Sequence, residues 1–283
     1  MFNLEVENRT GQKIKLTSNE NYTISEIIGL NPPSATINTS VIAGYDGAKF
    51  NSARVNTRNI EIYINIEKNV AANRIELYKI FKTAGLIKLH YKNDIRDVTI
   101  EGYVQDFTIN YFVNKQLAQI IIVCPDPYFK DIEELIIDSN IIDDKFSFPF
   151  GLEEAGDTLG EYLEQTDIAI TNDSDVDAGF IIELRASSSI INPKIINRNT
   201  LEYFGINFTM ETGDRIRIST QKGSKTISLI RNGIETNIFN YIAEGSTWLQ
   251  LTAREENVFN YTADYGLDYM DIRFIHRNLF EGV

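Results

Sequence analysis

The stretch RNIEIYINIE (residues 58–67) carries the clearest fold signal in the chain. Isoleucine occupies every second position from Ile60 to Ile66, whereas the positions between are polar or tyrosine. A period of two is typical of a β-strand with one face in a core and the other toward solvent. FNLEVEN lies upstream, and LIKLHYK, RDVTIEGYVQDFTINYF and LAQIIIVC lie downstream. These neighbours predict further strands of one meander.

One segment of this region has helical rather than strand spacing. In KNVAANRIELYKIFKTAG (residues 68–85), apolar residues recur at intervals of three and four, and Gly85 is placed to end the helix. Pro125 and Pro127 close the strand series, because proline cannot donate to a sheet ladder. We therefore predict a mainly β first domain at residues 1–135, a barrel or sandwich-like sheet with one covering helix.

The second half of the chain reads as short strands separated by turn dipeptides such as Asn232-Gly233. This spacing is typical of a β-sandwich or jelly roll, which we predict at residues 167–283. Residues 136–166 are predicted to form an acidic connecting arm. Its aromatic residues are expected to pack rather than remain disordered; they include Phe146, Phe148 and Phe150.

Composition excludes several classes of protein. A chain of 283 residues exceeds the usual size of one core, so two domains are expected. Of the net charge of −13, residues 126–177 contribute 16 acidic against two basic residues. Without a clustered basic face, a general nucleic-acid binder is not expected. No apolar run reaches the ~20 residues of a membrane span, and MFNLEVENRTGQK (residues 1–13) has no secretory-signal pattern.

No catalytic or metal site is predicted, and no cofactor is expected. Cys124 is the single cysteine and lies between IIIV and a proline, which favours a buried structural thiol. The segment DSDVD (residues 173–177) resembles the start of a calcium loop, but Ala178 and Leu184 occupy the positions that need glycine and glutamate. Trp248 fits either a core position or a sugar-stacking platform.

The segment preceding the first strand predicts a surface that contacts something. Asp46-Gly47 forms a turn signal, and Phe50, Arg54 and Arg58 follow it. Such a loop could hold an anion, a substrate or another copy of the chain. In CPDPYF (residues 124–129), Tyr128 and Phe129 offer rigid apolar side chains suited either to an interface or to burial in their own domain.

Several motifs together resemble the distal tail proteins of long-tailed bacteriophages. These are GLNPPSATINTSVIAGYDGAKFNSARVNTRNIEIYI, CPDPYF, NDSDVDAGFIIEL, NFTMETGDRIRI and GSTWLQL, which are spread over both halves of the chain. The resemblance implies an N-terminal domain that assembles into a hexameric ring and a galectin-like C-terminal β-sandwich. It also implies a virion component, made in the host cytoplasm, that joins the tail tube to the tail-tip or baseplate proteins. DNA would pass through the centre of the ring.

This resemblance implies contacts with other copies, with the tail tube protein above, with the tip hub protein below and with the tape-measure protein. It assigns the loop of Asp46, Gly47, Phe50, Arg54 and Arg58, with Tyr128 and Phe129, to contacts between copies. The alternative is a carbohydrate-binding module whose C-terminal sandwich recognises host cell-wall sugar through Trp248, or through tyrosines lined up in solvent such as Tyr203, Tyr241 and Tyr261. Contractile and non-contractile particles, and phages and phage-tail-like bacteriocins, are not separated by the sequence.

Overall fold

A computed structural model of the chain describes residues 2–111, 113, 115–143, 161–164 and 167–283. The chain divides into two compact units, Met1–Ile132 with Leu279–Val283, and Glu133–Asn278. Within the described residues the protein is mainly β with a single α-helix, as the sequence predicted. No described helix has the length and apolar character needed to span a membrane.

The elements in the first half of the chain are β1 (Asn3–Asn8), β2 (Lys13–Lys15), β3 (Tyr22–Ile28), β4 (Ala35–Ser40), β5 (Lys49–Val55), β6 (Arg58–Ile66), α1 (Val70–Ile80), β7 (Leu86–Lys92), β8 (Asp97–Ile109), β9 (Gln116–Cys124), β10 (Phe129–Asp131), β11 (Leu135–Asp138) and β12 (Asn140–Asp143). Those in the second half are β13 (Glu161–Glu164), β14 (Asp167–Thr171), β15 (Ile181–Ala186), β16 (Ile190–Ile191), β17 (Lys194–Asn197), β18 (Tyr203–Gly205), β19 (Thr209–Met210), β20 (Arg215–Ser219), β21 (Thr226–Arg231), β22 (Ile234–Asn237), β23 (Glu256–Thr262), β24 (Met270–His276) and β25 (Leu279–Phe280), with 3₁₀ turns at Phe239–Tyr241 and Leu267–Tyr269.

The first unit is built on one antiparallel sheet in the order β2-β1-β7-β8-β9-β6-β3. β6 lies near one edge, paired with β9 along its whole length, from Arg58 opposite Cys124 to Ile66 opposite Gln116. Its four alternating isoleucines are all fully buried, so the period of two predicted the core face of this strand.

The helix α1 covers part of this core but ends earlier than predicted. Leu77 and Ile80 are buried, whereas Ile75 on the same predicted apolar side is 48% exposed. The helix ends at Ile80 rather than at Gly85, because Phe81 leaves the helical conformation and packs into the core. Gly85 serves the turn that follows, where a Cβ would lie 2.6 Å from the Lys82 carbonyl oxygen.

The strands β4 and β5 form a separate two-stranded hairpin that pairs with no other strand among the described residues. They lie in sequence between β3 and β6, which are themselves an antiparallel pair. The hairpin therefore continues the β3–β6 pair beyond the sheet. Every residue of its two strands is exposed except Val55, which is partly buried.

Residues Leu279–Val283 belong to the first unit, although the sequence-based boundary placed them with the second domain. β25 pairs with β10, with Phe280 opposite Phe129, and β10 also pairs with β8. The Arg96 guanidinium donates to the Gly282 carbonyl and lies 4.1 Å from the Phe280 ring centroid. These contacts are non-local, so no pattern within the segment itself predicts them.

The second unit contains two principal sheets, β11-β24-β15-β20-β21-β22 and β14-β23-β17-β18. Phe259 of β23 and Phe274 of β24 stack at 5.3 Å between ring centroids, and Phe180 packs against both. Side chains from both sheets thus share one core, as in a β-sandwich. β11, from the predicted acidic arm, is an edge strand of the first sheet. The predicted packing of Phe146, Phe148 and Phe150 lies outside the described residues.

Candidate assembly surface

Arg58 stands at the start of β6 and is only 2% exposed. Its guanidinium donates four hydrogen bonds to backbone carbonyl oxygens, at 2.5 Å to Gly29, 2.6 Å to Asn31, 2.6 Å to Pro127 and 2.5 Å to Glu281. Burial lowers the pKa of Arg58 from its usual value, but arginine stays protonated in proteins. One side chain therefore ties together three segments that are distant in sequence.

The Phe129 ring packs against the Arg58 guanidinium. The Arg58 guanidinium carbon lies 4.6 Å from the Phe129 ring centroid, and Phe129 is itself buried in the core of the first unit. Arg58 and Phe129 were predicted to contact a neighbouring copy, but their side chains are inside their own unit. A buried cation needs several acceptors, and the carbonyl oxygens of the chain supply them. Tyr128, beside them, is half-buried, and burial raises its pKa.

The other four predicted contact residues lie together on the β4–β5 hairpin. Asp46 and Gly47 occupy its turn, and Phe50 and Arg54 lie on β5; all four are exposed. Gly47 has φ of +88°, a conformation that residues with a Cβ rarely adopt, so glycine suits this turn. The structure thus separates the predicted set into a buried pair and an exposed hairpin group.

The hairpin has one apolar and one polar face. A bulge between Asn38 and Thr39 brings Phe50 opposite Thr39, while Ile37 lies opposite Ala53 and Ala35 opposite Val55. The register therefore places the apolar residues on one face, which we call the hairpin apolar face; it consists of Ala35, Ile37, Phe50, Ala53 and Val55. On the other face, the Asn38 amide donates to Ser52 Oγ at 3.0 Å.

In a single copy, several apolar side chains of this hairpin are exposed to water, which is energetically unfavourable. Ile37 is 55% and Phe50 60% exposed, and in the turn region Val41 is 82% and Tyr45 79% exposed. An isolated two-stranded hairpin is marginally stable in water, and it gains stability from a third strand or a packed face. Contiguous exposed apolar residues mark interaction sites. Phe50 was predicted from the sequence, whereas Ile37, Val41 and Tyr45 were not.

The aromatic residues considered for a sugar platform are mostly engaged in packing. The half-buried Trp248 ring lies 5.0 Å from Phe204 and 5.9 Å from Phe239 between centroids. The Tyr203 hydroxyl donates to the Glu244 carbonyl at 2.7 Å. Tyr261 is buried. Tyr241 packs edge-on against Phe208, with 5.1 Å between ring centroids, and is 47% exposed. Of these four rings only Tyr241 is exposed, so they do not form a row in solvent.

Two of the three acidic groups of residues 173–177 form hydrogen bonds within the second unit. Asp175 accepts from the Arg254 guanidinium at 2.9 Å, and Asp177 accepts from the Ala253 amide at 3.0 Å. Among the described residues, no three His, Cys, Asp or Glu side chains are grouped so as to hold a metal ion.

Cys124 is fully buried at the end of β9, and burial raises the pKa of its thiol to about 12. Only the thiolate is an efficient nucleophile, so this thiol should be unreactive near neutral pH. We expect the native protein not to react with a disulfide reagent such as DTNB at pH 8, and one equivalent to react after unfolding in guanidinium chloride. Absorbance at 412 nm measures this, and rapid reaction of the native protein would contradict the burial.

Comparison with known proteins identifies the family. Residues 173–274, which span most of the second unit, match the model of the siphovirus-type tail component, C-terminal domain. These residues therefore form a domain of that family. The protein is a distal tail component of the phage virion. No curated protein matched the chain.

Solved structures of other tail components have the same fold. The chain is similar to the crystal structure of phage SPP1 Dit (gp 19.1), described as a hub of the adsorption apparatus in phages that infect Gram-positive bacteria. The TM-score is 0.70 at 13% identity, over 99% of both chains. It is also similar to a chain of the phage P2 baseplate in its activated conformation with Ca, with a TM-score of 0.57 at 12% identity over 100% of both chains. At sequence identities this low, the similarity shows a shared fold.

Proposed function

We propose that this tail component assembles with copies of itself into a closed ring at the distal end of the tail tube. The ring would join the tube protein above to the tail-tip or baseplate hub protein below, with the tape-measure protein as a further neighbour. Its centre would leave a channel for DNA. The observation that carries the proposal is the exposed β4–β5 hairpin, whose apolar face finds no cover in a single copy.

A ring requires head-to-tail contacts between copies. In the proposed ring, the hairpin of one copy meets a different surface on the next copy, which makes the interface heterologous. Heterologous contacts form a closed ring when the rotation from one copy to the next returns to the first copy after a whole number of steps. Otherwise they give open filaments. A hub between two cylindrical parts of a virion requires the closed form, and six copies is the number that the family resemblance implies.

Catalysis has no part in this proposal. Among the described residues, the single cysteine is a buried thiol, and Asp175 and Asp177 are engaged in internal contacts. Asp46, Gly47, Phe50 and Arg54 are assigned to contacts between copies. Among the residues that the structure describes, Trp248, Tyr203, Tyr241 and Tyr261 do not form the solvent-facing row that would support sugar binding as the main function of the second unit.

The proposal predicts the mass and shape of the purified protein. We expect light scattering coupled to size exclusion to give a mass six times the 32.3 kDa of one copy. Negative-stain electron microscopy should show rings with a central hole. A single species of protomer mass at every concentration, both alone and mixed with the tube and hub proteins of the same virion, would contradict it.

A further inference from the structure

The strand β9 is apolar on both of its faces. Its inward side chains, Ala118, Ile120, Ile122 and Cys124, are fully buried in the core of the first unit. Its outward side chains are Leu117, Gln119, Ile121 and Val123, all partly exposed in a single copy. Strands that are covered on both sides have near-continuous apolar sequences, whereas strands facing water alternate. The composition of β9 is therefore that of a strand whose outward face is covered in the functional state.

Carboxylates flank this outward face on the two neighbouring strands. Glu61 of β6 and Asp106 of β8 both lie opposite Ile121 in the antiparallel register, so all three point to the same side of the sheet. Glu61 accepts hydrogen bonds from the Tyr63 hydroxyl at 3.0 Å and from the Gln119 amide at 3.3 Å. Neither carboxylate forms an ion pair within the part of the chain that the structure describes. We call this surface, made of Leu117, Ile121, Val123, Glu61 and Asp106, the β9 outer face.

The hairpin has apolar and basic side chains that are complementary to the apolar and acidic side chains of the β9 outer face. Its apolar face matches the aliphatic side chains of β9, and its cations Lys49 and Arg54 form no ion pair with any described residue. Both cations lie on the polar face, Arg54 opposite Thr36 and Lys49 opposite Ser40, so their long side chains have to pass the edge of this two-stranded hairpin to reach a surface covered by its apolar face. Charge and apolar pattern thus agree, and both surfaces are on the same chain.

We propose that the hairpin apolar face of one copy lies over the β9 outer face of a second copy, with Arg54 and Lys49 reaching Glu61 and Asp106. This inference rests on the proposed ring and names the surface that receives the hairpin. Each copy then donates its hairpin on one side and accepts one on the other, which is the head-to-tail arrangement that a cyclic assembly needs. This one contact buries both the hairpin apolar face and the β9 outer face.

Disulfide trapping tests the contact directly. Cysteines replace Ile37 on the hairpin and Ile121 on β9 in one chain, and the assembled protein is oxidised in air with copper–phenanthroline. The native Cys124 is buried, so it does not compete. We expect a ladder of covalently linked copies on non-reducing gels, up to the number in the ring. The matched control pairs Ile37→Cys with Ile95→Cys, which replaces a residue that is 90% exposed in the β7–β8 turn.

The results separate this inference from the proposed ring. If the ring forms and the Ile37→Cys, Ile121→Cys protein links while the Ile95→Cys control does not, the contact is supported. If the ring forms but the control links equally well, or neither protein links, the acceptor surface is wrong and the ring stands. If the wild-type protein never assembles, both proposals fall.

A charge exchange gives a second test that does not depend on oxidation. Arg54→Glu alone, or Glu61→Arg alone, should weaken association by on the order of tenfold or more, because like charges would face each other across the contact. The double variant Arg54→Glu, Glu61→Arg should regain most of the loss, measured by mass photometry over a dilution series. Additive losses in the double variant would overturn the pairing of these two residues. Circular dichroism of each variant confirms that its protomer is folded.

Discussion

Replacement of Arg58 by methionine is expected to lower the free energy of unfolding of the first unit by at least about 3 kcal/mol. Methionine retains most of the apolar volume beside Phe129 but removes all four hydrogen bonds of the guanidinium. The carbonyl oxygens of Gly29, Asn31, Pro127 and Glu281 then lose a charged donor in a buried site. An unsatisfied buried acceptor costs about 1–3 kcal/mol, so even partial rescue by water leaves a large loss.

Chemical denaturation followed by circular dichroism measures this effect, and hydrogen exchange locates it. Exchange should rise in β10 and β25, because the guanidinium joins Pro127 and Glu281, which lie beside them. Arg9→Met is the matched control, since Arg9 is exposed in the β1–β2 turn and forms no ion pair among the described residues; its substitution should change the free energy of unfolding by no more than about 0.5 kcal/mol. Equal effects of the two substitutions would contradict an internal role for Arg58.

Asparagine in place of Ile37 is expected to convert the ring into separate copies while each copy remains folded. Ile37 lies at the centre of the hairpin apolar face and is 55% exposed in a single copy. Burying an asparagine side chain there without partners should weaken each contact by about 2 kcal/mol or more, and a ring multiplies this loss over its contacts. Light scattering and electron microscopy should show protomers at concentrations where the wild type forms rings.

The opposite face of the same hairpin provides the control. Ser40→Asn changes an exposed residue on the polar face and should leave both assembly and unfolding unchanged. For Ile37→Asn, the free energy of unfolding of the separated copy should also stay within about 0.5 kcal/mol, because the side chain has few contacts to lose. Intact rings with Ile37→Asn, or loss of rings with Ser40→Asn, would show that the apolar face does not mediate assembly.

Local periodicity explains most of what could be predicted. The alternation in residues 58–67 predicted the buried face of β6, and similar patterns predicted β1, β7, β8 and β9 of the main sheet, whereas β3, β10 and β25 were not predicted. The position of the helix was also predicted, although its end was wrong by about one turn, because Phe81 is drawn into the core by packing that no local signal reports. The family resemblance, confirmed by the match at residues 173–274, supplied the function that composition alone could not.

The candidate surface was only half predictable. Arg54 and Arg58 have the same residue type, four positions apart, and the sequence assigned both to one contact. Arg58 proved to be buried because acceptors from Gly29, Asn31, Pro127 and Glu281 converge on it, and their convergence depends on the folded sheet. Simple alternation would place Phe50 on the side of Ser52 and Arg54. The bulge in the hairpin moves it to the side of Ile37.

The sequence by itself determined that this chain is mainly β and that its strands bury alternate side chains, because such patterns depend on residues a few positions apart. Its role as a tail component came from the resemblance of several motifs to a known family. Only the tertiary structure decided which arginine is internal, where residues Leu279–Val283 pair, and which face of the hairpin is left uncovered. These outcomes depend on groups that are far apart in sequence and meet only when the sheet has formed. They therefore leave no periodic signal along the chain.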